Sequence, residues 1–219
     1  MNQPFRDRRD AGRFLAQKLS AYANRSDVIV LALPRGGVPV AYEVARSFNV
    51  PLDVFPVRKL GVPGHEELAM GAIAPGGLRV LNHEVVRALG IPDHAIDAVA
   101  AKEQQELTRR ERLYRGDRPA LNVRGKTVIL VDDGLATGAT MLAAIKALRQ
   151  QQAGRVVVAV PIAAPETCDQ MREHADDVIC AVTPEPFHAV GLWYENFAQN
   201  SDEEVRDLLN RSREEVAAK

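Results

Sequence analysis

Residues 127–141 read TVILVDDGLATGATM, the most informative stretch of the sequence. An apolar run typical of a buried strand ends in Asp132 and Asp133, and a loop of small residues with Thr137 and Thr140 leads into an amphipathic helix. In an open parallel sheet, ligands bind beyond the carboxyl ends of the strands, where such a loop lies. Its backbone amides and hydroxyls suit a phosphate, whereas the carboxylates can accept hydrogen bonds from a diol or hold a divalent cation. The stretch therefore predicts a site for a phosphorylated sugar.

Four further apolar runs flank this stretch: VIVLAL at 28–33, LDVFPV at 52–57, RVVVAVPI at 155–162 and DVICAV at 177–182. Continuous rather than alternating apolarity is typical of strands that are buried on both faces. Helical patterns lie between them, at 40–48 and 141–151. The alternation of strand and helix predicts an α/β fold, with a Rossmann-like parallel sheet flanked by helices.

One segment departs from that alternation, because residues 92–114 are predicted to form a single half-exposed helix. The basic residues of 109–126 are interpreted as a solvated surface, with a phosphate-facing or dimer-facing patch as the alternative. We expect a single domain over 1–219, with its core at about 28–182. A helical insertion at about 83–117 and a C-terminal hood and tail at about 183–219 complete it.

The composition of the chain limits the kinds of partner that we expect it to bind. With 28 basic and 29 acidic residues, the formal net charge is −1, so the chain has no global field to attract nucleic acid. Its apolar runs are shorter than the roughly 18 residues of a membrane span, and its N-terminus lacks the apolar segment of a secretory signal. We therefore expect a cytoplasmic protein with neither nucleic acid nor membrane as a partner.

The two cysteines, Cys168 and Cys180, lie twelve residues apart without a CxxC pair or a nearby histidine cluster. This spacing suggests neither a disulfide framework nor a zinc site. We expect two reduced, mostly buried thiols.

The stretch at 127–141 resembles the phosphoribosyl pyrophosphate signature of the type I phosphoribosyltransferases. That signature has four apolar residues, two acidic ones, two spacers, and a small or Thr residue before Thr-Gly-x-Thr. A GxGxxG or Walker A motif does not fit, because the glycines are wrongly spaced and no Gly-Lys-Ser/Thr is present. The resemblance implies the type I phosphoribosyltransferase fold, with Asp132 and Asp133 holding the ribose hydroxyls and Mg²⁺. It also implies a phosphate loop that cradles the 5-phosphate and consists of Ala136, Thr137, Gly138, Ala139 and Thr140.

The run ALPRGGVPVA at 32–41 resembles the pyrophosphate loop of the same family. The resemblance implies that Arg35, Gly36 and Gly37 hold the leaving diphosphate, with a strained or cis peptide beside Arg35. Without the resemblance to this family, the run predicts only a tight turn before a helix.

The segment VRKLGVPGHEELAMGAI at 57–73 is rich in Gly and Pro, which predicts an irregular, mobile loop. It resembles the flexible catalytic loop of adenine-type and orotate-type transferases, in which Arg58 and Lys59 would clamp the diphosphate; a solvated strand end is the alternative. Ala136 stands where hypoxanthine-guanine transferases carry an aspartate proposed as the base. Adenine-type transferases place an acidic residue in the flexible loop instead, so Glu67 is the candidate general acid/base.

The C-terminal run TPEPFHAVGLWYENF at 183–197 loosely resembles the segment of purine transferases that stacks on the base. Phe187, His188, Trp193 and Tyr194 are the candidates, and packing of Trp193 and Tyr194 on the core is an equal alternative.

A group of bacterial phosphoribosyltransferases combines an RKLGxPG-like loop with a VDDGxATGAT-like motif, and this chain looks like a member. The resemblance implies a Mg²⁺-dependent transferase, a homodimer, that uses phosphoribosyl pyrophosphate and a nucleobase-like acceptor that the sequence does not name. A non-catalytic sensor of phosphoribosyl pyrophosphate is the alternative.

Overall fold

The computed structural model describes residues 4–217. Five parallel strands form its central sheet: β1 (Val28–Ala32), β2 (Leu52–Val54), β6 (Thr127–Val131), β7 (Arg155–Ile162) and β8 (Asp177–Val182). They lie in the order β2-β1-β6-β7-β8, so β1 and β6 are neighbours although they are far apart in the sequence, with Val28 opposite Thr127. The predicted parallel α/β sheet is confirmed, and each predicted apolar run supplies one strand.

Helices cover both faces of this sheet. On one face lie α1 (Arg8–Lys18), α2 (Gly37–Phe48) and α7 (Asp202–Ala217), and on the other lie α5 (Ala139–Gln150) and α6 (Pro165–Arg172). Successive strand residues face opposite ways, so Val30 belongs to one apolar cluster and Leu31 to the other. Both clusters are buried, which is why the runs are apolar throughout rather than alternating.

A second sheet is antiparallel and contains β3 (Arg58–Val62), β4 (His65–Ala74) and β5 (Leu78–Leu81). The prediction of irregular structure over 57–73 is therefore wrong, whereas the mobility of this segment stays a prediction. Pro63 and Gly64 form the two-residue turn, with Gly64 at φ +80°, and the register shifts beside Gly61. Because most of the Gly and Pro residues lie in the turn and at the irregularity, the rest of the segment is free to pair.

The remaining helices are α3 (His83–Ala88) and α4 (Asp93–Arg115), with short 3-10 helices at Ser20–Tyr22 and Val190–Trp193. The predicted single helix is thus observed, with Ile96 packed against Leu60 and Met70 of the second sheet. Its far end joins the main core through Tyr114. Within residues 4–217, no helix has both the length and the apolarity needed to cross a bilayer.

The two cysteines form a disulfide between α6 and β8, so the expectation of two reduced thiols is wrong. Their Cα atoms lie 6.5 Å apart. The chain leaves α6 and returns along β8, which brings residues twelve positions apart face to face. A spacing of twelve carries no such signal in the sequence, because the proximity depends on this helix-to-strand return.

Candidate functional site

The loop after β1 and the loop after β6 touch at the carboxyl end of the sheet. A Cβ atom on Gly36 would fall 2.0 Å from Oδ2 of Asp133, and one on Gly37 would fall 2.9 Å from the Cα of Asp132. At Gly37 the neighbouring atoms are backbone, so close approach requires glycine there, whereas at Gly36 a side chain would force the Asp133 carboxylate to move. The structure thereby brings together two of the predicted groups, Arg35 to Gly37 and the aspartate pair. The peptide between Pro34 and Arg35 is cis, as the resemblance implied.

The predicted phosphate loop leads into the N-terminus of α5. Gly138 precedes that helix at φ +72°, a conformation that favours glycine. The hydroxyl of Thr167, in α6, donates a hydrogen bond to the carbonyl of Ala136 at 2.6 Å, which connects the loop to that helix. Ala136, Thr137 and Ala139 are exposed, and Thr140 is half-buried. A helix N-terminus behind exposed small residues is a suitable anion site.

The two carboxylates of Asp132 and Asp133 have different environments. Burial of the Asp132 carboxyl group, reinforced by the negative charge of Asp133, raises its pKa well above the ordinary value. The backbone N–H of Asp133 donates to Oδ1 of Asp132 at 2.8 Å. Oδ2 of Asp133 accepts a hydrogen bond from Nε of Arg8 at 2.7 Å. The pair therefore has one ion-paired carboxylate beside one that resists ionisation.

Arg8 was not among the predicted site residues. It lies in the first turn of α1, and its Nη1 donates to the carbonyl of Ala198 at 2.7 Å. Its guanidinium carbon lies 4.0 Å from the ring centre of Phe197. The contact with Asp133 spans 125 positions of sequence. Arg8 is one of several arginines near the N-terminus, and no local pattern distinguishes it from its neighbours.

Tyr194 is buried behind the aspartates, and its hydroxyl donates to the backbone carbonyl of Asp133 at 2.5 Å. Burial, with a contribution from the nearby charge of Asp133, raises the pKa of this hydroxyl. Its ring stacks on that of Phe197, with centroids 5.0 Å apart. Of the two alternatives for Tyr194, the structure therefore shows core packing. Trp193 and Phe187 are half-buried against the apolar cluster that Tyr194 forms with Ala11 and Ile162, and His188 is exposed.

Gly134 directly follows the aspartate pair, and the structure explains why a glycine stands there. A Cβ atom there would lie 2.4 Å from Cγ1 of Val190 and 2.9 Å from Cγ2 of Ile162. Val190 begins the 3-10 helix of the C-terminal hood. Glycine at this position thus lets the hood pack directly on the aspartate loop.

Arg35 is held near the start of α7. Its Nη1 lies 3.9 Å from Oδ1 of Asp202, and the hydroxyl of Tyr114 donates to that same oxygen at 2.7 Å. Burial, together with Asp202, raises the pKa of Tyr114 to about 12. The guanidinium of Arg35 lines a small pocket with Gly36, Asp133 and Arg8.

The residues predicted from the flexible loop lie elsewhere. Arg58 forms an ion pair with Glu103 of α4, with Nη2 2.7 Å from Oε2. Lys59 is exposed and lines a cavity of about 520 Å³ that also reaches Ala139 at the start of α5. Glu67 is exposed on β4 and does not line this cavity. Lys59 is thus beside the phosphate loop, whereas Arg58 and Glu67 are not brought to it.

The donor set at the aspartates limits how a metal could bind. Within residues 4–217, no group of three or more His, Cys, Asp or Glu side chains could hold a metal ion. The aspartate pair offers two carboxylates, and Arg8 already occupies one oxygen of Asp133. Mg²⁺ commonly binds through one or two carboxylates together with substrate phosphates and water. The residues present therefore fit a Mg²⁺ ion that binds with a phosphorylated ligand rather than alone.

Known proteins resemble this chain in sequence over most of its length. The model of the phosphoribosyl transferase domain family matches residues 6–193. Rv0571c of Mycobacterium tuberculosis, whose name assigns it provisionally to the phosphoribosyl transferases, is 49% identical over 213 residues. The alignment covers 97% of this chain and 48% of that protein, so the chain spans about half the length of the curated relatives it matches.

Solved structures resemble the whole fold. The crystal structure of TT1426 from Thermus thermophilus has a TM-score of 0.85 and 42% identity, and the match covers 95% of this chain and 99% of that one. The AQ2163 protein from Aquifex aeolicus has a TM-score of 0.52 at 13% identity, over 92% of this chain and 84% of that one, which shows the fold alone.

Proposed function

The chain belongs to the phosphoribosyl transferase family, and we propose that it moves 5-phosphoribose from phosphoribosyl pyrophosphate to a nitrogen nucleophile of a nucleobase-like acceptor, releasing pyrophosphate. The packing of Gly36 and Gly37 onto Asp132 and Asp133 is the observation that carries the proposal. This packing puts the loop after β1 against the aspartate pair, and the loop at 136–140 follows that pair directly in the chain. The three segments would then supply the diol acceptors, the phosphate loop and the pyrophosphate loop that this substrate needs.

Each part of the ligand has a partner of matching chemistry. The amides of Ala136 to Thr140, with the hydroxyls of Thr137 and Thr140, would hold the 5-phosphate at the N-terminus of α5. Asp132 and Asp133 would accept hydrogen bonds from the ribose 2- and 3-hydroxyls. Arg35, with the amides of Gly36 and Gly37, would hold the diphosphate. Lys59 would add positive charge from the second sheet, since its cavity reaches Ala139.

In the reaction, the bond from ribose C1 to the diphosphate oxygen breaks and a bond from C1 to the acceptor nitrogen forms, and the nitrogen then loses its proton. The protein would accelerate this by orienting the two reactants and by neutralising charge on the departing diphosphate. Bound Mg²⁺ would supply further neutralisation. Glu67 stays the candidate that takes the proton, and in this role the β3-β4 hairpin would have to carry it towards the cleft.

A non-catalytic sensor of phosphoribosyl pyrophosphate is the second candidate, and one observation favours it. The ion pair with Glu103 holds Arg58 against α4, away from the role of a diphosphate clamp. A homodimer also remains part of the proposal, and the family resemblance is what supports it. The cytoplasmic location stays an expectation from the amino-acid sequence.

Pyrophosphate release separates the two candidates. Purified protein would be incubated with phosphoribosyl pyrophosphate, Mg²⁺ and, in turn, adenine, hypoxanthine, guanine, uracil or orotate. A transferase releases pyrophosphate with at least one acceptor, and Lys59→Ala reduces the rate by roughly ten-fold or more if the lysine stabilises the leaving group. Lys102→Ala, an exposed lysine on α4, is the matched control. Tight binding of phosphoribosyl pyrophosphate without release by any acceptor would favour the sensor.

A further inference from the structure

The two oxygens of the Asp133 carboxylate differ in their hydrogen-bond partners. Its Oδ2 atom lies between Nε of Arg8, at 2.7 Å, and the backbone of Gly36, where even a Cβ atom would fall 2.0 Å from the oxygen. Oδ2 therefore already has a charged hydrogen-bond partner. Within the described residues, Oδ1 of Asp133 has no hydrogen-bond donor. Oδ1 is thus the oxygen of this side chain that remains for a ligand.

The guanidinium of Arg8 is held in place by groups other than Asp133. Its side chain is 10% exposed, Nη1 is bound to the carbonyl of Ala198, and its guanidinium lies over the Phe197 ring. The start of α1 is also fixed, because the side chain of Asp7 caps the helix by accepting from the backbone N–H of Asp10 at 2.8 Å. Arg8 is therefore a pre-positioned charge rather than a flexible one.

We propose that Arg8 is a positioning and specificity residue, which holds Oδ2 of Asp133 so that Oδ1 faces the ribose diol and the site selects ribose over 2-deoxyribose. The inference rests on the proposed function. Without the guanidinium, the Asp133 side chain would be free to rotate. Its negative charge would also oppose an incoming ligand that carries phosphates. Arg8 does not touch the reacting atoms and acts through Asp133.

The test compares two ligands that differ only in the 2-hydroxyl. Dissociation constants for ribose 5-phosphate and 2-deoxyribose 5-phosphate would be measured by calorimetry on the full chain. We expect wild type to prefer ribose 5-phosphate by about ten-fold, the size expected for one hydrogen bond to a charged group. Arg8→Met should reduce that preference to below about two-fold, since Oδ1 would no longer be held towards the 2-hydroxyl. Arg8→Lys keeps the charge but not the planar fork, so its preference should be intermediate.

The matched control is Arg9→Met, on the neighbouring and exposed side chain of α1, which should keep the wild-type preference. An unchanged preference in Arg8→Met, with both ligands weakened equally, would show that Arg8 only supports the fold and would overturn the inference. If Arg8→Met does not fold by circular dichroism, a wild-type preference in Arg8→Lys overturns it equally. If wild type binds neither sugar phosphate nor phosphoribosyl pyrophosphate, the proposed function itself fails, and this result differs from a lost role of Arg8 alone.

Discussion

The substitution Gly36→Ala tests whether glycine stands at position 36 because of close packing or because of its backbone conformation. Gly36 has φ −60° and ψ −35°, values that alanine adopts freely, so the substitution introduces no backbone strain. On conformational entropy alone, alanine would stabilise the protein by about 0.4–1 kcal/mol. Its Cβ would nevertheless lie 2.0 Å from Oδ2 and 2.6 Å from Cγ of Asp133. The carboxylate must therefore turn away and leave Arg8.

The magnitude follows from these two opposing effects. Loss of a hydrogen bond to a charged group costs roughly 1.5–3 kcal/mol, which exceeds the entropic gain. We expect a net destabilisation of about 1–2 kcal/mol in urea unfolding. For a chain of this length, that corresponds to a fall in Tm of roughly 2–8 °C. Affinity for phosphoribosyl pyrophosphate should fall by at least about ten-fold, because Asp133 no longer presents Oδ1.

The control is Gly90→Ala, at a position with φ +60° where an added Cβ atom would have no neighbouring atom within 4 Å. It should lose stability through backbone strain and keep its ligand affinity. If Gly36→Ala were as stable as wild type or more so, with unchanged affinity, the close contact between the two loops would be refuted.

Three further substitutions probe other features. Gly134→Val should destabilise the protein by about 1–3 kcal/mol in urea unfolding, because it collides with Val190, and adding Val190→Ala should restore part of the loss. The raised pKa of Asp132 means that the folded protein binds its proton more tightly than the unfolded chain, so stability falls as pH rises from about 4 through the folded-state pKa. Asp132→Asn should remove that fall and be more stable than wild type at a pH of about 7.5, and equal pH profiles for the two proteins would argue against the raised pKa. A thiol assay on unreduced, unfolded protein should find no free thiol, and replacing Cys168 and Cys180 together by Ala should cost about 2–4 kcal/mol of stability. Two free thiols before reduction would contradict the disulfide.

Local patterns were sufficient for the main sheet and the signature loop. Strands buried on both faces leave continuous apolar runs, and the run at 127–131 is followed at once by the aspartates and the helix whose N-terminus suits an anion. For residues 57–73, a prediction from local composition was wrong, because the Gly and Pro content suggested an irregular loop. The strand character there came from pairing with a partner that a two-residue turn at Pro63 brings into register.

Contacts between residues that are far apart in the sequence could not be predicted from local sequence patterns. Arg8 reaches Asp133 across 125 positions, and its neighbours Arg6 and Arg9 offer the same chemistry in sequence. Only the packing of α1 against α2, with the C-terminal tail over it, selects Arg8. The disulfide likewise depends on how α6 returns into β8. No sequence motif predicts these two contacts, and they become visible only in the three-dimensional structure.

The proposed function requires Asp132 and Asp133 to hold a phosphoribosyl ligand. Calorimetric titration of phosphoribosyl pyrophosphate, with Mg²⁺, into wild type and into Asp132→Asn/Asp133→Asn tests this role, with the exposed Asp117→Asn as control. We predict saturable binding by wild type and by the control, and a loss of at least about a hundred-fold in the double variant, since both carboxyl groups that would accept hydrogen bonds from the ribose hydroxyls are replaced. Absence of binding by wild type, or equal binding by a folded double variant, would contradict the account.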